Sequence, residues 1–86
     1  MSGEPPDSVD RTAYAAALRK LKSRSSLNYA AIGSEVERPV STVHGWITGK
    51  HLPYARDNDD FATVLELLGA RDIDRWMDIL FDLRVV

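Results

Sequence analysis

Hydrophobic residues near the middle of the chain recur every three or four positions, which is the spacing of one face of an α-helix. The apolar or small positions of this first set are Tyr29, Ile32, Gly33 and Val36. Asn28 precedes them, and asparagine is a favoured N-cap residue because its side chain accepts a hydrogen bond from an unpaired backbone N–H. The pattern therefore predicts a short helix over residues 29–36.

A second helix is predicted directly after the first, with a tight turn between them. Pro39 has a fixed φ and no N–H, so it suits the first turn of a helix. The apolar residues that follow at helical spacing are Val43, Trp46 and Ile47, and Gly49 is a suitable C-terminal stop. Two helices of about eight residues, joined by a turn of three or four, match the helix-turn-helix unit.

Three further helices fit the remaining chain, and we find no strand pattern, internal repeat or low-complexity tract. One is predicted over residues 11–23, one is capped by Asp57, and one opens at Asp72 or Asp74. We therefore predict an all-α fold of five helices over residues 11–86. Residues 1–10 are expected to be a disordered, acidic lead-in.

The apolar stripes of these helices predict one buried core. On the last helix the stripe is Ile73, Trp76, Met77, Leu80 and Phe81. The residues expected to be buried in a single cluster are Leu18, Leu21, Ile32, Val43, Trp46, Phe61, Leu65, Leu68, Trp76 and Leu80. At the C-terminus, Leu83, Val85 and Val86 have little chain left to cover them, so they either fold back on the core or meet a partner.

Composition and charge narrow the class of protein. The 86 residues contain no cysteine, which excludes disulfides and cysteine-ligated metal sites and predicts a cytoplasmic protein. No apolar run approaches the roughly 20 residues that a membrane span needs, so no membrane association is expected. Residues 11–56 carry eight basic and two acidic side chains, net +6, whereas residues 57–86 carry three basic and eight acidic ones, net −5. A basic half is typical of a small DNA-binding domain, although a solvated charged face is the alternative.

The predicted helix pair resembles a known family. Residues 38–53 are RPVSTVHGWITGKHLP, and this segment resembles LPRSTLHDMLSGRRLP, typical of an actinobacterial variant of the Cro/repressor (XRE-type) helix-turn-helix family. The resemblance runs without a gap from Leu27 to Pro53 and extends to most of residues 11–80. It implies a lambda-repressor-like domain that binds double-stranded DNA and regulates bacterial transcription. The chain departs from the family at Glu37, where glycine is common, so a positive φ at Glu37 would strain the backbone.

The resemblance also implies which side chains contact DNA. Those directed into the major groove would be Val40, Ser41, His44 and Gly45, with Thr42 near the backbone. The predicted phosphate contacts are Asn28, Tyr29, Lys50, His51 and Arg56, and Arg38 completes the DNA-binding set. Strong base discrimination comes from arginine on guanine or from asparagine and glutamine on adenine, and the groove-facing set contains none of these. We therefore predict modest intrinsic specificity, with dimerisation, a partner protein or DNA shape choosing the site.

Catalysis and metal binding are disfavoured by the same sequence. Asp57, Asp59 and Asp60 lie near a predicted helix N-terminus, where capping explains them more simply than acid–base chemistry does. His44 and His51 have no obvious third ligand. We therefore predict no enzymatic activity, no metal and no cofactor.

The alternative hypothesis is a helix-turn-helix domain that lost base recognition and serves as a protein-interaction or oligomerisation module. A weak homodimer through residues 76–86 is one form that such an interaction would take. Packing of the same residues within the monomer is the competing interpretation.

Overall fold

Helices provide the regular secondary structure of the computed structural model, which describes residues 3–85. Their bounds are α1 Arg11–Arg24, α2 Tyr29–Val36, α3 Val40–Thr48, α4 Asn58–Leu67 and α5 Ile73–Val85. One 3₁₀ turn, Ala55–Asp57, precedes α4, and residues 3–85 contain no strand. The predicted all-α fold of five helices is confirmed.

Side-chain caps fix the starts of the first two helices. The Asp10 carboxylate accepts a hydrogen bond from the backbone N–H of Ala13 at 3.2 Å. Asn28 Oδ1 accepts one from the N–H of Ala31 at 2.8 Å, so the predicted cap of α2 is confirmed. Each contact satisfies one of the N–H groups that a helix N-terminus leaves without a backbone partner.

The turn between α2 and α3 contains the strained residue that the sequence suggested. Glu37 has φ 57° and ψ 46°, in the left-handed region. The backbone N–H of Arg38 then donates to the carbonyl of Gly33 at 2.9 Å. A Cβ on Gly33 would lie 2.8 Å from the carbonyl oxygen of Arg38. A glycine is therefore needed at position 33 because the backbone of the turn packs against it.

A single core joins the helices. α3 packs against α1 and α2, while α4 packs against α2 and α5. All ten residues predicted for the core are buried in one cluster. The other buried members of that cluster are Tyr14, Val36, Ile47, Val64 and Ile79.

The predicted apolar stripe of α5 was wrong at one edge. Phe81 is 61% exposed, whereas Ile79, which the prediction omitted, is fully buried. The helix is rotated so that Arg84 reaches back to the segment before α4. Its guanidinium donates to the carbonyl of Pro53 at 2.9 Å and to the side chain of Asn58. Leu83 packs against the core, Val85 is exposed, and Val86 lies outside the described residues.

The segment before α1 is irregular but is attached to α5 at one point. Gly3 is buried, and its carbonyl accepts hydrogen bonds from the N–H of Arg71 at 2.7 Å and from Trp76 Nε1 at 3.1 Å. Of the lead-in predicted over residues 1–10, Met1 and Ser2 lie outside the described residues. The described part contains no helix, and Gly3 is packed against the folded domain.

Candidate nucleic-acid interface

The exposed side of α3 forms a shallow depression that we call the α3 face. It is lined by Val40, Ser41, Thr42, His44, Gly45, Lys50 and His51. The opposite side of the helix is buried in the core through Val43, Trp46 and Ile47. The four residues predicted to face the major groove and Thr42 are thus brought together with Lys50 and His51.

An aromatic and cationic cluster connects the α3 face to α2 and α1. The rings of Tyr29 and His44 meet edge to face, with their centroids 4.9 Å apart. Lys22 Nζ lies 4.7 Å from the centroid of the Tyr29 ring, a distance suited to a cation–π contact. Lys22, which the sequence analysis did not select, therefore lies beside the predicted contact residues. Nothing in its position along α1 indicated this.

His51 lies over Gly45. A Cβ built on Gly45 would lie closest to Nε2 of the His51 ring, and within 2.6 Å of Cε1 and 2.9 Å of Cδ2. The backbone N–H of His51 also donates to the Gly45 carbonyl at 3.4 Å. Gly45 was predicted to face the major groove, and within this chain the group that lies closest to it on that side is the His51 imidazole.

Two arginines from α1 bind the C-terminal carbonyls of α3. Arg19 donates to the carbonyl of Thr48 at 3.2 Å. Arg11 donates to the carbonyl of Lys50 at 3.2 Å and more weakly to that of Gly49. The last carbonyls of a helix have no intrahelical partners and carry partial negative charge, so cationic donors there stabilise the helix end.

Arg38 is engaged by two carboxylates. Its Nη2 is 2.7 Å from Asp57 Oδ1 and its Nε is 2.8 Å from Asp60 Oδ2. The hydrogen bonds to Asp60 and Asp57 raise the pKa of Arg38. The guanidinium also lies 5.9 Å from the Trp46 ring. These partners orient Arg38 toward the protein, so we do not count it among the residues available to phosphate.

The aspartates lie at a helix start as predicted, with Asp57 at the N-cap position of α4 and Asp59 and Asp60 in its first turn, but Asp57 and Asp60 also form ion pairs that were not predicted. Asp57 is 4% exposed and makes no side-chain capping bond to α4. Its Oδ2 instead accepts the N–H of Tyr54 at 3.3 Å, at the start of the 3₁₀ turn. Asp60 binds Arg38, and Asp59 lies in the first turn of α4. The pairing was missed because Arg38 and Asp57 are 19 residues apart and no local pattern connects them.

The remaining predicted contacts lie beside the α3 face or away from it. Asn28 is exposed, but its side chain is used to cap α2. Arg56 lies on the 3₁₀ turn with its guanidinium 4.9 Å from the Tyr54 ring centroid, and it does not line the depression.

Residues 3–85 contain neither a metal-binding cluster nor a helix suited to span a membrane. No group of three or more histidine or acidic side chains is arranged to hold a metal ion in that range. None of the helices described there is long and apolar enough to cross a membrane.

Comparisons with known proteins provide no family for this chain. No protein-family model, curated protein or solved structure matches it. The resemblance of residues 38–53 to a repressor family therefore stays a prediction, and functional inference depends on the α3 face itself.

Proposed function

We propose that the domain binds double-stranded DNA, with α3 in the major groove, and acts as a transcription regulator of modest intrinsic specificity. The observation that carries this proposal is the α3 face: a short helix anchored on one side in the core presents small polar groups on the other. A helix of this kind fits the major groove, which is about 12 Å wide.

Charge supports the same orientation. Lys50 lines the α3 face, and Lys22 lies over the Tyr29 ring beside it. Arg38 is paired with two carboxylates, those of Asp57 and Asp60, so this group adds no positive potential. Acidic residues are concentrated in residues 57–86, and an acidic region would be repelled by phosphate. The domain is therefore expected to approach DNA with α3 first.

Base recognition by this face would be limited. Val40 is 48% exposed and offers an apolar contact for a thymine methyl group. Ser41 is able to donate to or accept from almost any base, and His44 is able to donate to a guanine acceptor. No side chain on the face makes the two parallel hydrogen bonds by which arginine, asparagine or glutamine distinguishes bases.

A salt titration of binding to a mixed pool of labelled duplexes tests the proposal. With three to five phosphates neutralised, log K is expected to fall against log salt with a slope of about −3 to −5. Lys50→Ala should weaken binding to all sequences and reduce the slope by about 1. Arg75→Ala is the matched control, because it removes one positive charge from the exposed side of α5 instead.

Two results would contradict DNA binding through this face. One is the absence of binding to any duplex at low salt. The other is an equal effect of the Lys50 and Arg75 substitutions, which would indicate a general charge effect. Chemical-shift mapping with the same pool provides a second measurement, since the largest shifts are expected between Val40 and His51.

A second candidate function is a protein-interaction domain, and the exposed apolar residues of α5 favour it. Phe81 is 61% and Val85 68% exposed. They lie four residues apart and therefore on one side of the helix. The occupant that we propose for this side is a second copy of the chain, in a weak homodimer through residues 76–86. Dimerisation and DNA binding are compatible, because the two functions use different faces.

A further inference from the structure

The packing of the His51 ring against Gly45 explains why a glycine occupies the middle of α3. Glycine is a poor helix former, so its presence there requires a local reason. The atoms nearest to a Cβ at this position all belong to the His51 imidazole. The missing side chain leaves the space that the ring occupies.

The chain returns to this point by a sharp reversal after α3. Gly49 has φ 80° and ψ 10°, a left-handed conformation that ends the helix. Two residues later, the N–H of His51 donates to the carbonyl of Gly45 at 3.4 Å. His51 is exposed, although the Nε2 end of its ring lies against Gly45. It lines the same depression as Ser41 and His44.

We infer that His51 is a specificity-determining residue of the α3 face, where its imidazole recognises a base edge in place of a side chain at position 45. This inference rests on the proposed DNA binding and differs from the phosphate contact that the family resemblance implies for His51. The ring lines the depression that also contains Ser41 and His44, so it would lie near the same base edges as those side chains. Because the Nε2 end of the ring lies against Gly45, Nδ1 is the nitrogen that is left for a base edge, and an N–H there is a suitable donor to N7 or O6 of guanine.

Selection from a randomised duplex library tests the inference with four proteins: the parent chain, His51→Ala, Gly45→Ala and the double variant. His51→Ala is expected to reduce the preference at one base position by roughly three- to tenfold, the effect of one hydrogen bond. Gly45→Ala should reduce the same preference, because its methyl group displaces the ring. The double variant should be no worse than either single one, as expected for two residues that act through one contact.

Folding should survive both substitutions. The atoms that must move for Gly45→Ala belong to the end of an exposed side chain. Alanine also favours a helix more than glycine does. Circular dichroism of each variant checks this point. His44→Ala is the matched control, since it removes the neighbouring imidazole of the depression and should change the preference at a different position.

Several outcomes separate this inference from the proposed function. If His51→Ala weakens binding equally for all sequences and reduces the salt slope by about 1, His51 binds phosphate and the inference is overturned. A change of preference with Gly45→Ala but not with His51→Ala would also overturn it. A parent chain that binds the library without selecting any sequence removes the inference but leaves DNA binding standing. A parent chain that binds no duplex removes both.

Discussion

The outer sides of α3 and α5 differ although their inner sides are alike. Each helix buries an apolar stripe in the same core, through Trp46 and its neighbours on α3 and Trp76 and its neighbours on α5. The outer side of α3 presents mainly polar side chains together with Val40, and Gly45 lies beneath the His51 ring. The outer side of α5 presents Phe81 and Val85. Burial therefore explains why both helices fold, and only the outer sides differ in what they are able to bind.

Charge divides the molecule in the same way. The row Asp74, Asp78 and Asp82 repeats every four residues along α5, next to the exposed apolar residues. The basic side chains are concentrated in residues 11–56. The two regions are nevertheless one folded body, because Tyr14 of α1 donates a buried hydrogen bond to the carbonyl of Trp76 at 2.8 Å. A substitution can therefore be chosen to affect the shared core, the ion pair between Arg38 and Asp57 before α4, or one outer side alone.

The largest effect is expected in the shared core. Leu65 is fully buried, and Leu65→Ala should reduce the free energy of unfolding by about 2–5 kcal/mol through lost contacts and a cavity. The free energy of unfolding of a native protein is only about 5–15 kcal/mol, so the variant should unfold at a much lower urea concentration than the parent. Phe81→Ala on the exposed side of α5 is the control and should change stability little. Urea unfolding followed by circular dichroism measures both, and equal stability of parent and Leu65→Ala would contradict the assigned packing.

The junction between the helix-turn-helix and α4 should give the next largest effect. Asp57→Ala removes the ion pair with Arg38 and the hydrogen bond from the N–H of Tyr54. A hydrogen bond to a charged group contributes about 1.5–3 kcal/mol, and the second bond is long and only partly buried, so a total loss of about 2–3 kcal/mol is expected. Asp59→Ala should cost well under half as much, because Asp59 contributes only a favourable charge in the first turn of α4. Equal losses would restore the interpretation of both aspartates as capping residues.

The bounds of a helix were predictable where the residues that determine them are close together in the sequence. The predicted helix over residues 29–36 has the bounds of α2, because Asn28 and the spacing of its apolar residues act over a few positions. The side of α5 that is buried was less predictable. A stripe containing Phe81 and one containing Ile79 both fit the helical period, and the structure buries Ile79 in the core that α5 shares with distant helices.

The α3 face was predictable in its members but not in its arrangement. The sequence placed Ser41, His44 and Gly45 on one side of a helix, where they lie. It gave no signal that His51 returns over Gly45, because the reversal depends on the backbone after Gly49. It also gave no signal that Arg38 is held by Asp57 and Asp60. Contacts made across the fold have no periodicity that a sequence displays.

Alkaline pH should lower the free energy of unfolding through Tyr14, whose hydroxyl joins α1 to α5. Burial raises the pKa of Tyr14, and the nearby Arg84 opposes this only in part. The unfolded chain releases this proton from about pH 10 upward while the folded one retains it, so the stabilising contribution is complete below pH 10 and falls above it by about 1.4 kcal/mol per pH unit. Tyr14→Phe should be less stable than the parent at pH 7, because it lacks the hydrogen bond to Trp76, and should lose less stability above pH 10. Urea unfolding between pH 7 and pH 11 measures the difference, and parallel curves for the two proteins would exclude Tyr14 as the cause.

The smallest effect is expected for association through α5, and its response to salt should be opposite to that of DNA binding. The exposed area around Phe81 and Val85 is small, so we expect dimers only at high protein concentration. Two copies that meet through this helix bring their acidic regions together. Added salt screens that repulsion and should strengthen the dimer, whereas it should weaken the proposed DNA binding through counterion release. Sedimentation from micromolar to millimolar protein at two salt concentrations measures this, with Phe81→Ser as the variant that should remain monomeric. A parent chain that is monomeric throughout removes the dimer, and a dimer that weakens with salt would place its interface on charged groups rather than on the apolar side of α5.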